Sequence, residues 1–560
     1  MVYCIADNIW SPLGTTTAEN YQAVKAGRSA LCRYEHHWGL PEAFTASLFS
    51  EEQTKAMAID GLTRFESLAV RSAAAAIAQS AVDVTARNVV FILSTTKANI
   101  ELLADGVNVG PAAASQHIAR YLGFTTPPVA VCNACISGVA AIVLALRLLE
   151  AGRYDYAVVC GADVQNAFTV SGFQSLKAVA EDECRPFDME RLGLNLGEAA
   201  ATLVLSRECH DGWAVEAGVV RNDGFHISSP SKDGEGARQA LAALNVHKEQ
   251  AFINAHGTAT MFNDQMESVA IERAGLQHIP VNAYKGYFGH TLGAAGVLET
   301  VLSMAAADDH TILGTRGFEE RGVSGKIRLS AEHAVTDKQS FVKMISGFGG
   351  ANGALLVKKV KETDGTGGHS QMAVNCQTRH HVLLTPSALT LDGKPVDVTP
   401  SGRGLLTDLY KQYVDDYPKY YKMDGLSRLG FVASELLLKA EGDHAEEPRA
   451  DRAVILFNHS SSIAADRKYQ ESIADSGNFF PSPSVFVYTL PNIVTGEIAI
   501  RHQYRGETSF YILPERDDLL MEDIVKASFA DSTTKSILTG WLDYVDEDHF
   551  EAELIVSEII

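Results

Sequence analysis

The chain has 560 residues, 46% of them hydrophobic and 21% charged, enough apolar material for a large core, which excludes a disordered chain. Its formal net charge is −22, from 47 Lys and Arg against 69 Asp and Glu; this excludes a general nucleic-acid binder and leaves room for a local basic patch. Eight cysteines are too sparse for a disulfide scaffold, the apolar run Val139 to Leu146 is too short to span a bilayer, and Met1 to Asp7 lacks the pattern of a signal peptide, so a cytoplasmic protein without a membrane span is expected.

In chain order, the first 360 or so residues alternate strand-like and helix-like segments. Leu68 to Val82 reads as an Ala-rich helix and Val89 to Leu93 as a short buried strand. Val129 to Val131 is a second such strand, and Val139 to Leu149 is an apolar helix. Ala157 to Cys160, Leu203 to Leu205 and Ala354 to Val357 are further strands. Short, wholly apolar strands belong in sheets covered on both faces, so the fold class is α/β, with helices on a layered mixed sheet. From Glu362 to Ser370 the chain turns Gly-rich and polar, which predicts a linker before a separate C-terminal unit. That unit echoes the first. Asp60-Gly61-Leu62-Thr63-Arg64 recurs as Asp424-Gly425-Leu426-Ser427-Arg428, and a strand follows each at a similar offset, opened by Arg87 and by Arg452.

The segment Val129 to Gly138 predicts a buried strand, a tight turn and the start of the apolar helix. Cys135 falls at the turn, where unpaired backbone N–H groups and the helix dipole favour a thiolate nucleophile. Two other readings stand beside it: Cys132-x-x-Cys135 as a redox or metal pair, and both cysteines as small core side chains. The chain has no second CxxC, and Cys132 lies in the strand, not at the helix start.

Farther on, Asn254-Ala255-His256-Gly257-Thr258 ends a short strand with a histidine, and Asn263, Asp264 and Glu267 follow on a helix that Asp264 is suited to cap. Lys285-Gly286-Tyr287-Phe288-Gly289-His290 places a lysine and a second histidine among glycines at another helix start, which favours a neutral imidazole. Ser346-Gly347-Phe348-Gly349-Gly350 is a turn able to offer a backbone N–H to an oxyanion. It is not a phosphate loop, because GxxxxGK[ST] and a strand-borne GxGxxG are both missing. Singly these features are weak, since a histidine beside glycines is more often structural. Their order is specific.

Together they resemble the β-ketoacyl-acyl-carrier-protein synthases, the elongating condensing enzymes of the thiolase fold. The resemblance rests on Cys135 in NACISG, His256 in NAHGTAT, Lys285 and His290 in KGYFGHTLGAAG, Phe348 in SGFGGAN, and Arg185-Pro186-Phe187-Asp188 followed by Gly197-Glu198-Ala199. The second histidine separates this pattern from thiolases and from initiating synthases, which carry Asn there. The resemblance implies a thiolase-like α-β-α-β-α fold of two related halves, 1–165 and 166–361, then a linker, 362–380. By the echo, a third thiolase-like half follows at 381–560. It implies that Cys135 takes an acyl group from a carrier protein and that His256 and His290 stabilise the enolate left when malonyl-carrier protein loses CO2. The backbone N–H groups of Cys135 and Phe348 then hold the oxyanion, with Phe348 and Gly349 forming a gate. Lys285 is expected to pair with Glu267 and hold the histidines. Neither metal nor cofactor is expected, since substrates ride on the phosphopantetheine of the carrier. The expected partners are an acyl carrier protein and a second ketosynthase-like subunit, in a homodimer or heterodimer.

Two departures bear on the pathway. The stretch before Cys135 is shorter than in the usual fatty-acid elongators, which, with the added unit, points to a specialised polyene, polyketide or fatty-acid-type pathway. The C-terminal unit carries Ser509 to Arg516 at the counterpart of the nucleophile turn and has no cysteine after Cys376, so it is expected to be degenerate and non-catalytic. Its Lys419 and Lys422, with Lys55 and Arg64 of the first copy, are the expected basic patch for an acidic carrier protein. A solvated helix face is the plainer reading of those lysines. The alternative function is a non-catalytic, chain-length-factor-like partner, against which Cys135 and both histidines argue. A cysteine hydrolase is disfavoured because two histidines, with no required acid, orient the site differently.

Overall fold

The computed structural model describes residues 1–106, 109–246, 249–361, 375–400, 402–442 and 447–560. One five-strand pattern occurs three times. In the first, Val2–Trp10 pairs antiparallel with Ala199–Ser206, which pairs antiparallel with Tyr156–Asp163; parallel strands Val89–Ser94 and Val129–Val131 follow. Gly212–Asn222, Ala351–Val360, Ser340–Gly347, Phe252–Asn254 and Val281–Asn282 repeat the order and the directions. Cys376–Leu384, His549–Ile559, Ser536–Asp546, Arg452–Asn458 and Thr508–Ile512 repeat them again. Val2 and Tyr3 pair with Val215 and Ala214 and join the first two patterns. Ala130 and Val131 pair antiparallel with Ile512 and Tyr511 and join the first to the third.

Two boundaries differ from those expected. The division at 165 cuts through a paired sheet, because Ala199–Ser206 returns to complete the first pattern. Of the expected linker at 362–380, residues 362–374 lie outside the described residues, and its end is already strand, since Cys376–Leu384 pairs with His549–Ile559.

Helices Arg64–Ser80 and Gly425–Glu441, both of 17 residues, precede equivalent strands. Thr63 caps the first in a capping box with Glu66, and Asp424 caps the second. The pentapeptide echo is therefore offset in space: Arg64 opens its helix, whereas Arg428 ends the first turn of the other.

Two helices run through the middle of the molecule, Ser137–Glu150 and Ala295–Asp308. Both are enclosed on nearly all sides, which is why both are apolar or small almost throughout. They meet through glycine. A Cβ on Gly138 would lie 2.8 Å from the Val297 nitrogen, and one on Gly296 would lie 2.4 Å from the Val139 nitrogen. No larger residue fits either position without moving a helix.

The C-terminal unit is bound through buried polar contacts as well as through the shared sheet. Asn133 accepts from the Phe510 N–H at 2.7 Å and donates to Thr508 O at 3.1 Å. Lys97 meets Asp466 at 2.6 Å and Arg147 meets Glu507 at 2.5 Å, all four side chains being buried. Among the described residues no helix is long and apolar enough to cross a membrane. Removing one partner of a buried pair leaves an uncompensated charge. Arg147→Met is therefore expected to destabilise the protein by about 3–5 kcal/mol in urea denaturation, and Arg147→Met with Glu507→Leu to recover most of that loss.

Candidate active site

Cys135 sits on a sharp elbow. Ala134 has φ 48°, in the left-handed region, and opens a single turn, Ala134–Ile136, that runs straight into Ser137–Glu150. The Ser137 hydroxyl pins the turn, accepting from Asn133 N–H at 2.8 Å and donating to Ala134 O at 2.6 Å. The second half builds the same elbow: Leu292 has φ 50°, and the turn Leu292–Ala294 runs into Ala295–Asp308. The Gly138–Gly296 contact sets the two elbows side by side, with Cys135 on one and His290 just ahead of the other. His256 arrives from the end of Phe252–Asn254. The Cys135 Sγ and one ring nitrogen each of His256 and His290 all lie within 4.8 Å of one another, close enough also to share a metal ion. The two rings are 4.9 Å apart at 81°.

The site is uncharged at its centre. Burial pushes the Cys135 thiol up to about 12, although Lys285 and the local backbone N–H pull the other way. Burial thus works against the thiolate expected from the helix start. Burial, then Lys285, hold His290 well below the usual imidazole range; the same two causes, with His290 and Lys343 behind them, hold His256 there. Leu292 N–H donates to His290 Nδ1 at 3.2 Å, so the proton of the neutral ring is on Nε2. His290 Nε2 and His256 Nδ1 are buried and meet no hydrogen-bond partner among the described residues.

The expected Lys285–Glu267 pair does not form. Glu267 instead accepts from the backbone N–H of His256 at 2.7 Å and of Gly257 at 2.8 Å, and from Asn263 Nδ2 at 2.9 Å, so it orients the His256 strand end directly. Burial and the neighbouring Asp264 push Glu267 up to about 7. Lys285 meets Glu299 at 2.7 Å, and the other Glu299 oxygen takes Lys343. Burial pushes Glu299 up, but the two lysines outweigh it and hold it low. Lys343 also reaches Asn254 Oδ1 at 2.8 Å. The sequence reading missed Glu299 and Lys343. Their signal was present, as an acid in the middle of an apolar helix and a lysine in the apolar strand Phe341 to Ile345.

Cys135, His256, His290 and Phe348 line a cavity of about 350 Å³. Leu192, Met261 and Phe262 also line it and are largely exposed. On the other side of Cys135 lies an apolar recess of about 20 Å³, closed by Phe173, Lys97, and Phe486 and Leu490 of the C-terminal unit. Phe486 packs on Phe173 with ring centroids 5.4 Å apart and fills the space a Gly172 side chain would need.

The sequence matches the family models Beta-ketoacyl synthase, N-terminal domain, over residues 4–210, and Beta-ketoacyl synthase, C-terminal domain, over residues 214–319. It is 31% identical to Nodulation protein E of Rhizobium leguminosarum bv. trifolii over 287 residues, covering 48% of this chain and 70% of that protein. The chain belongs to the β-ketoacyl synthase family. It is an acyl-transferring condensing enzyme. It is also 27% identical to 3-oxoacyl-[acyl-carrier-protein] synthase 2 of Vibrio cholerae, over 62% of this chain and 97% of that one. The thiolase-like fold is that of the structure titled PfaC Keto synthase-Chain length factor, with a TM-score of 0.76 at 14% identity, covering 100% of this chain and 78% of that one. A ketosynthase in complex with its chain length factor from Xenorhabdus doucetiae matches with a TM-score of 0.56 at 24% identity, covering 64% of this chain and 98% of that one.

In this synthase the four expected docking residues separate. Arg64 is not available for a partner: it is held by Glu198 at 2.6 Å, Glu101 at 2.9 Å and Gln165 O at 2.7 Å. Lys55 is exposed on the last turn of Glu51–Met57. Lys419 is exposed and close enough to His226, on the cavity wall, to add to the burial that lowers its pKa. Lys422 lines a different cavity, of about 500 Å³, with Arg403, Arg428 and Lys468. The raised pKa of the Cys135 thiol sets a direct expectation. Alkylation of Cys135 by iodoacetamide, followed by peptide mass spectrometry, is expected to quicken about tenfold per pH unit from pH 7 to 10; a rate that is flat across this range contradicts the raised pKa.

Proposed function

We propose that the chain is a 3-oxoacyl-[acyl-carrier-protein] synthase of a fatty-acid or polyketide-type pathway, with Cys135 as nucleophile and His256 and His290 as the decarboxylation pair. The convergence of one thiol and two uncharged imidazoles carries this reading. In the first step the Cys135 sulfur bonds to the acyl carbonyl carbon, the bond to phosphopantetheine sulfur breaks, and the thiol proton leaves with the departing sulfur. The N–H groups of Cys135 and Phe348 hold the oxyanion. In the second step the malonyl C–C bond breaks, CO2 departs, and its electron pair forms an enolate whose oxygen takes hydrogen bonds from His256 and His290. The enolate carbon attacks the acyl-Cys135 carbonyl, expels Cys135 sulfur, and the sulfur takes a proton from solvent. The Lys285–Glu299–Lys343 cluster supports this chemistry by keeping both imidazoles neutral, hence as donors of single, directed hydrogen bonds.

Residues 376–560 are, on this reading, a degenerate third copy of the first half. The strand edge at Val129–Val131 is taken by Thr508–Ile512 of the same chain. An acyl carrier protein docks at the mouth of the cavity, over exposed Leu192, Met261 and Phe262 and beside Lys419. The malonyl half-reaction tests the assignment. His256→Ala and His290→Ala are each expected to slow decarboxylation of malonyl-carrier protein by about 10²–10³-fold while Cys135 still accepts an acyl group; unchanged decarboxylation removes the histidines from this role. The recess behind Cys135 holds about one water-sized group, so short acyl donors are expected to load fastest. Phe486→Ala opens it, and the rate ratio of octanoyl to acetyl loading is expected to rise at least several-fold in a competition assay.

A further inference from the structure

The turn that carries Phe348 is held from the C-terminal unit. Asn492 Nδ2 donates to Phe348 O at 2.9 Å, and Gly349 N–H, in the same peptide plane, donates to Ile227 O at 2.7 Å. Both ends of that peptide are therefore bonded, one of them by a residue from outside the two halves that hold Cys135, His256 and His290. Gly349 O accepts from Asn222 Nδ2 at 2.7 Å, and the same amide donates to Thr508 Oγ1 at 3.0 Å. Asn492 stands just ahead of Ile493–His502, and this helix packs so closely that a Cβ on Gly496 would lie 2.7 Å from Gly349 O. Gly349 and Gly350, with φ 87° and 73°, leave the turn little stiffness of its own.

We propose that Asn492 is a positioning residue for acyl transfer: by fixing the Phe348–Gly349 peptide it anchors the Phe348 Cα from its C-terminal side, and with it the seat of the Phe348 ring and the frame from which the adjoining Gly347–Phe348 peptide presents its N–H. The inference rests on the proposed function, in which that N–H is one of two oxyanion donors. It gives the C-terminal unit a part in the chemistry without contributing a group that touches substrate. The two half-reactions separate this role from simple packing. The oxyanion of acyl transfer forms at Cys135 and Phe348, whereas the enolate of decarboxylation forms at His256 and His290. Losing Asn492 therefore impairs the first and spares the second.

The test uses the full chain, with acyl-carrier protein for loading of Cys135, read by mass spectrometry over time, and malonyl-carrier protein for release of CO2. Asn492→Ala is expected to lower the saturating loading rate by about 10²-fold, the cost of roughly 1 Å of misplacement, with little change in the carrier concentration for half-maximal rate. Decarboxylation stays near the wild-type rate. Asn492→Asp keeps the shape, replaces the donor by an acceptor facing Phe348 O, and gives the same split; it serves if the alanine variant does not fold. Wild-type loading rates in both variants overturn the inference, and so does an equal loss in both half-reactions, which marks a purely structural contact. If the wild-type enzyme itself acquires no acyl group at Cys135, the proposed function fails first and takes this inference with it.

Discussion

Gly138 and Gly296 bring two buried helices together backbone against backbone, and the active-site geometry follows from that contact. Each helix begins at an elbow with one residue in the left-handed region, Ala134 in one half and Leu292 in the other. With no side chain between the helices, the elbows lie within a few ångströms of each other. Cys135 on the first and His290 beside the second then face the same small volume. Gly293 shows the same economy of space, since a Cβ there would stand 2.6 Å from Thr95 Cα.

The charge arrangement is layered. Cys135, His256 and His290 line the cavity, and the buried ions sit one step behind them. Glu299 lies between Lys285 and Lys343 in a buried setting, two basic side chains against one acid. The lysines oppose protonation of either histidine, and Lys285 offsets part of the rise that burial imposes on the Cys135 thiol. Glu267 works on the backbone, holding the His256 and Gly257 N–H groups. The C-terminal unit completes the arrangement from outside, with Phe486 and Leu490 lining the recess and Asn492 bonded to Phe348 O.

Much of the fold was legible because it is written in local patterns. The apolar strand at Val129–Val131, the tight turn and the apolar helix could be read directly, as could the glycine-rich surroundings of His256, His290 and Phe348. Long-range pairing was harder. Ala199–Ser206 lies far along the chain from Val2–Trp10, and nothing in its composition assigns it to the first half. The echo between Asp60 and Asp424 marked two equivalent helices but not their offset caps, because Asp and Thr can each cap a helix. Glu267 looked like the partner of Lys285 by residue type; Glu299 lies one helix away and reaches Lys285 only once Ala295–Asp308 is packed. The helix start at Cys135 is visible in sequence, whereas the burial that raises its thiol pKa is not. Arg64 looked free because its partners Glu101 and Glu198 come from distant segments.

The most direct test of the account is the site of covalent attachment. The intact protein, incubated with acyl-carrier proteins bearing chains of different length and then digested, is expected to carry one acyl group on the peptide containing Cys135, and none after Cys135→Ser. An acyl group on a different residue, or none with any donor, contradicts it.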